Sequence, residues 1–126
     1  MSKKSGIKTM REVNIEDLIG KIIINISGLY EGSDYVIIDC EDKYIYSFWP
    51  ETEANISLID GNPNNLIGRK IVRAEKFTEN TVSSEGNPAT STIFKLETRD
   101  NTVTIRWDCI PEYCNYASIQ INKILK

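Results

Sequence analysis

Few groups in this chain could react, and those that could bind gather in its second half. The 126-residue sequence holds no histidine, so the commonest general base and commonest metal ligand are missing. No His-Glu-x-x-His, Gly-x-x-x-x-Gly-Lys-Ser/Thr or Gly-x-Gly-x-x-Gly pattern occurs. Cys109 and Cys114 are five apart in one loop, with no second pair. That is wider than a zinc site uses, and a thiol without an imidazole neighbour is a poor nucleophile. Glu51 and Glu53, and Asp39, Glu41 and Asp42, fall in turns, where carboxylates are solvated, and nothing singles out a catalytic pair. The expectation is no enzyme, no metal and no cofactor.

The binding groups are Phe77, Arg73, Arg106 and Asn87. A ring offers a plane for stacking, a guanidinium stacks and holds anionic oxygens, and an amide reads polar edges. Each residue also has an ordinary structural use. Phe77 can pack against the following loop. Arg106 can pair with Asp108 or Glu97 on a solvated sheet face. Arg73 can be a surface or subunit-contact arginine. Asn87, between Gly86 and Pro88, is a natural turn residue.

The elements that position these groups read as one segment used twice. Leu18-Ile19-Gly20-Lys21 recurs as Leu66-Ile67-Gly68-Arg69, 48 positions later. Lys43 to Trp49 aligns with Asn101 to Trp107 at an offset of 58. The difference places a ten-residue insertion in the polar stretch Thr78 to Pro88, read as a lid over a ligand. Asn14 and Asn62 are cap candidates for two short helices, each ended by glycine, with Pro63 suited to the first helical position.

Alternating strands follow. Val72 and Ala74 are expected inside, with Ile71, Arg73 and Glu75 outside. Tyr35 to Cys40 matches Thr92 to Glu97, and polar turns at 41–43 and 99–101 make hairpins. Residues 55–59 and 117–121 supply the fourth strands. Trp49 and Trp107 are expected inward, as matched core anchors. The fold class is mainly β (α+β): antiparallel sheets from two pseudo-repeats, 14–60 and 62–124, each a short helix plus about four strands. Residues 1–126 form one domain, with 1–13 a loose tail.

Composition fits a globular chain, at 40% hydrophobic and 26% charged. A net charge of −3 argues against a binder of DNA or RNA backbones. There is no apolar run long enough for a membrane span, and the basic start, Met1 to Lys8, lacks the apolar core of an export signal. Three cysteines with no framework spacing are expected as reduced thiols.

The set Leu-Ile-Gly-Lys-x-Ile at 18–23, Gly32-Ser33-Asp34 before a strand, a second Leu-Ile-Gly at 66–68, and Val103-Thr104-Ile105-Arg106-Trp107 resembles the phage Thoeris anti-defence sponge family. The resemblance covers roughly residues 14 to 124. It implies a protein that sequesters, without cleaving, the cyclic ADP-ribose-type signal of bacterial TIR-domain defence enzymes. Some members also hold cyclic oligonucleotide signals at a separate site. It further implies a homo-oligomer, a dimer or assembly of dimers, in the cytoplasm of an infected or lysogenic host. In this family a phenylalanine, a loop asparagine and a late-strand arginine contact the signal. Phe77, Asn87 and Arg106 are the nearest matches, with Arg73 on the same outer face as Phe77. The competing expectation is a structural or protein-interaction module with no small ligand, using Ile23, Ile71, Tyr44 and Tyr46 as an exposed apolar contact.

Overall fold

The computed structural model describes residues 10–82, 86–109 and 115–126. Nine strands build it: β1 Met10–Glu12, β2 Ile23–Ser27, β3 Val36–Cys40, β4 Tyr44–Pro50, β5 Ala54–Asp60, β6 Arg73–Val82, β7 Pro88–Glu97, β8 Thr102–Cys109 and β9 Ile119–Leu125. Two 3-10 turns, Ile15–Leu18 and Pro63–Leu66, stand where helices were expected. At four residues each they are too short for a stable α-helix, and Gly20 and Gly68 end both with positive φ. The protein is mainly β, in two antiparallel sheets. Met10–Glu12, expected within a loose tail, pairs with β9 as an edge strand.

The strand orders are β1-β9-β4-β3-β2 and β5-β8-β7-β6. This corrects the expected grouping of four strands within each half. The last strand of the first half, β5, pairs with β8, and the last strand of the second half, β9, pairs with β4. The two halves thus exchange their final strands, and neither sheet is made by one half alone.

Alternation decides the core. Val36, Ile38, Tyr46, Phe48 and Ile121 face inward from one sheet, and Phe94, Leu96, Val103, Ile105 and Trp107 from the other, in one apolar cluster. Phe48, Phe94 and Trp107 form its centre. Phe48 stacks on Trp107 at 6.2 Å between ring centroids, and both meet Phe94 edge to face at 5.5 and 5.9 Å. Phe48, not Trp49, is therefore the inward partner of Trp107. Trp49 lies on the opposite side of β4 and is 46% exposed.

The turns carry matching backbone bonds. The N–H of Gly20 donates to the Ile71 carbonyl and that of Gly68 to the Ile23 carbonyl. The N–H of Ile71 donates to Lys21 and that of Ile23 to Arg69. This draws Ile23 and Ile71 fully inside, against the expectation that they are exposed, while Val72 turns outward. The first turn is also pinned through charge. Lys123, buried on the inner side of β9, pairs with Asp17 at 3.0 Å and lies 4.3 Å from the Tyr44 ring centroid. The Tyr46 hydroxyl donates to Asp17 Oδ2 at 2.6 Å. Tyr46 is thus a core residue and not part of an exposed contact.

Candidate functional site

The expected binding residues fall on the outer face of the four-stranded sheet. Register puts Phe77 opposite Ile93, Ile93 opposite Arg106, and Arg106 opposite Leu58. Residues directly opposite in an antiparallel ladder share a face, so these four form one row across the sheet. Phe77 and Arg106 are two strands apart, about 10 Å. Phe77 is 45% exposed, so its ring is presented to solvent and not packed away. Val103, Ile105 and Trp107 point the other way, into the core.

The other two expected residues do not join them. Arg73 is four residues from Phe77 on the same strand, about 13 Å along it. Its guanidinium engages Glu75 at 3.1 Å and Glu97 at 3.8 Å. Asn87 is exposed at the far end of the β6–β7 hairpin. The ladder is in register from Phe77–Ile93 out to Val82–Pro88, which places Asn87 about 20 Å from Phe77 along the strands. The stretch Thr78 to Val82, read as part of a lid, instead prolongs β6 in the plane of the sheet. Backbone pairing explains this: every N–H and C=O that joins the ladder is satisfied there. Residues 83–85 of that stretch lie outside the described residues.

Arg106 is already committed. Its Nη1 lies 2.8 Å from Glu79 Oε1, its Nε donates to Asp108 Oδ1 at 2.9 Å, and its Nη2 is 3.4 Å from the Ser91 hydroxyl. Ser91 also donates to Asp108. The Asp108 hydrogen bond, outweighing partial burial, raises the Arg106 pKa further above its usual value, with Glu79 adding to it. Burial alone would raise Asp108, but side-chain hydrogen bonds, those of Ser91 and Arg106 among them, hold its carboxyl below the usual range. Two carboxylates face one guanidinium, so an incoming anion must displace one of them.

Sequence reasoning paired Arg106 with Asp108 as one option and missed Glu79. Register gave the signal, because Glu79 pairs with Ser91, the residue beside Asp108 and Arg106.

A second exposed surface was not anticipated. On the outer face of the five-stranded sheet, Trp49 stacks on Tyr35 at 5.0 Å with 15° between planes. They flank an apolar groove lined by Met10, Ile37, Ile45, Ser47 and Ile124. The parity of β4 held the clue. Tyr46 and Phe48 inward forces Ile45, Ser47 and Trp49 outward, and aligning the two tryptophans overrode it.

Among the described residues no cluster of potential metal ligands occurs. Cys40 is a free thiol, buried, and pushed up to about 12 by burial, with the Asp42 and Asp39 charges adding to it. Cys109 is disulfide-bonded, against the expectation of three reduced thiols. No helix is long and apolar enough to cross a membrane among the described residues. Comparison with protein-family models, with curated proteins and with solved structures finds no match.

Proposed function

We propose that this chain is a non-catalytic binding protein that captures an intact cyclic ADP-ribose-type signal and so deprives a TIR-linked bacterial defence of it. The observation that carries the reading is the row Phe77, Ile93, Arg106 and Leu58 on one open sheet face, with Phe77 exposed. Phe77 would stack on the adenine, and Arg106 would bind the pyrophosphate after exchanging Glu79. The family resemblance supplies the ligand class. The finer repeat reading belongs here as well. The two turns exchange backbone bonds that map onto each other by the same 48-residue shift seen in the sequence, which supports internal duplication.

Sequestering a micromolar signal requires a Kd near the nanomolar level, about −12 kcal/mol. One sheet face is open, so retention at that level requires a second surface over the ligand. Calorimetry with purified cyclic ADP-ribose isomers is expected to show binding, with the ligand recovered unchanged after heat denaturation. Phe77→Ala and Arg106→Ala are each expected to weaken it at least about tenfold, since each removes a stacking or charge-assisted contact. A flat titration with every isomer would exclude the reading, and a cleaved product would indicate an enzyme.

The second reading, an interaction module without a small ligand, is favoured by a different observation. An exposed, mainly apolar groove lies on the other sheet, around Trp49 and Ile124. Exposed contiguous apolar surface of this kind marks protein contacts.

A further inference from the structure

The cations of this chain are not spread evenly. Arg73, Lys95, Arg106, Lys123 and Lys126 each pair with a carboxylate. Arg69, Lys70 and Arg99 do not: among the described residues none of the three makes an ion pair. All three line one cleft of about 320 Å³, together with Val72, Thr98 and Asp100. In a chain of net charge −3, three cations against one carboxylate give this cleft a local charge of +2. Carboxylates on the adjoining segments are already matched. Glu97 is held by Arg73 and Lys95, and Asp42 by Lys21 at 2.6 Å.

Two turns bring these cations together. Arg69 and Lys70 follow Gly68. The Arg69 N–H donates to the Leu66 carbonyl, the Ile23 N–H donates to the Arg69 carbonyl, and Lys70 bridges to Ile22. The Val72 N–H donates to the Glu97 carbonyl, which lays this segment against the end of β7. Arg99 and Asp100 form the tip of the β7–β8 hairpin. It is closed by the Thr98 N–H on the Asn101 carbonyl at 2.9 Å and the Asn101 N–H on the Thr98 hydroxyl at 3.2 Å. The backbone on either side of the cleft is thus held, while the charged side chains are exposed. Like charges held together without partners repel, and a bound anion relieves that repulsion. Val72, 52% exposed, adds an apolar wall.

We propose that this cleft binds a small phosphomonoester, at a site separate from the Phe77 row. A phosphomonoester carries about −1.5 to −2 charge at pH 7 on one group, which matches the local +2 of the cleft. Arginine meets phosphate oxygens in pairs, and lysine acts as a point charge. The Val72 wall takes carbon of the attached group. The volume stands at the lower end of ligand clefts, about 300–1,000 Å³, and holds one phosphate with a small organic part. A nucleic-acid backbone or a cyclic oligonucleotide presents phosphodiesters, singly charged and spaced along a chain, and matches a compact +2 less well. The site stands on its own charges and turns, and does not rest on the cyclic ADP-ribose reading.

The test is calorimetry at low ionic strength with ribose 5-phosphate, ribose, sulfate and cyclic di-AMP, with Val72 methyl resonances followed by NMR as a second readout. Ribose 5-phosphate is expected to bind with a Kd below about 1 mM, at least about tenfold tighter than cyclic di-AMP, and to shift the Val72 methyls. Ribose is expected to do neither. Lowering the pH from about 7 to about 5.5 adds the second proton to the phosphate and should weaken its binding about threefold, leaving sulfate unchanged. The chain has no histidine, so that change reads the ligand and not the protein. Lys70→Ala and Arg99→Ala are each expected to weaken ribose 5-phosphate at least about fivefold, and Asp100→Asn to strengthen it, with unchanged circular dichroism. No heat together with no Val72 shift overturns the proposal. So does cyclic di-AMP binding as tightly as the monoester, or binding that survives both Lys70→Ala and Arg99→Ala. Phe77→Ala is expected to leave ribose 5-phosphate unchanged, and cyclic ADP-ribose binding is scored separately, so either reading can fail without the other.

Discussion

At the scale of single residues, charge pairing decides which groups remain available. Arg106 is the cation in the Phe77 row, yet Glu79 and Asp108 already hold it. Asp108 is anchored by Ser91 as well, whereas Glu79 is half exposed and, among the described residues, pairs with the guanidinium alone. Glu79→Gln is therefore expected to strengthen anion binding at Arg106 several-fold, measured by calorimetry, and an unchanged or weaker Kd would show that Arg106 does not meet the ligand. Neighbouring aromatic residues are expected to behave oppositely when truncated. Phe48→Ala removes the middle of the core ring cluster and should cost about 3–5 kcal/mol. Trp49→Ala removes a half-exposed ring and should cost about 1 kcal/mol or less. Chemical denaturation of the two variants distinguishes them. Cys40, buried with its pKa pushed up to about 12, is expected to resist alkylation at pH 8 in the folded protein and to react on unfolding, read by intact mass.

At the scale of elements, turns and their anchors set how strands enter the sheets. Gly20 and Gly61 have nearly the same positive φ, 90° and 89°. A Cβ at Gly20 would meet nothing within 4 Å, whereas one at Gly61 would lie 2.3 Å from the Thr102 carbonyl oxygen. Gly20→Ala is expected to cost about 1 kcal/mol, the left-handed penalty alone. Gly61→Ala should cost clearly more, because backbone must move. The first turn is also held by Asp17. Burial would raise its pKa, but hydrogen bonds from Tyr46 and Lys123 and the Lys123 charge lower it below 3.8. A lowered carboxylate contributes stability above its unfolded value and loses it as pH falls through the folded one. Asp42, lowered by Lys21 and the Tyr44 N–H against burial, and Asp108 act in the same direction. Urea midpoints are thus expected to be flat between about pH 5 and 8 and to fall below pH 4. Asp17→Asn should lessen that fall.

At the scale of the whole molecule, the exchange of β5 and β9 makes the halves interdependent. β9 lies between β1 and β4, and β5 closes the other sheet against β8. Neither half holds a complete sheet, and the aromatic cluster takes Phe48 from one and Phe94 and Trp107 from the other. Calorimetric unfolding is therefore expected to be a single cooperative transition, and residues 1–61 expressed alone are expected to remain unfolded by circular dichroism. Two separate transitions, or a folded half, would contradict this linkage.

Alternation and turn chemistry determine a good deal of this protein without coordinates. They mark the β class, the hairpin turns at 41–43 and 99–101, the outward side of Arg106 and the two Leu-Ile-Gly turns, because each depends on neighbours a few residues away. They also made Asp108 a foreseeable partner of Arg106, two residues along the same face. Tertiary structure alone decided that β5 and β9 change sheets, that Ile23 and Ile71 are drawn inside by each other's turns, and that the polar stretch after Phe77 lengthens a hairpin. It also decided that Glu79 neutralises Arg106 and that Ser47 lies beneath an apolar face. These depend on which distant strand completes each ladder, and pairing between distant segments leaves no period in the sequence.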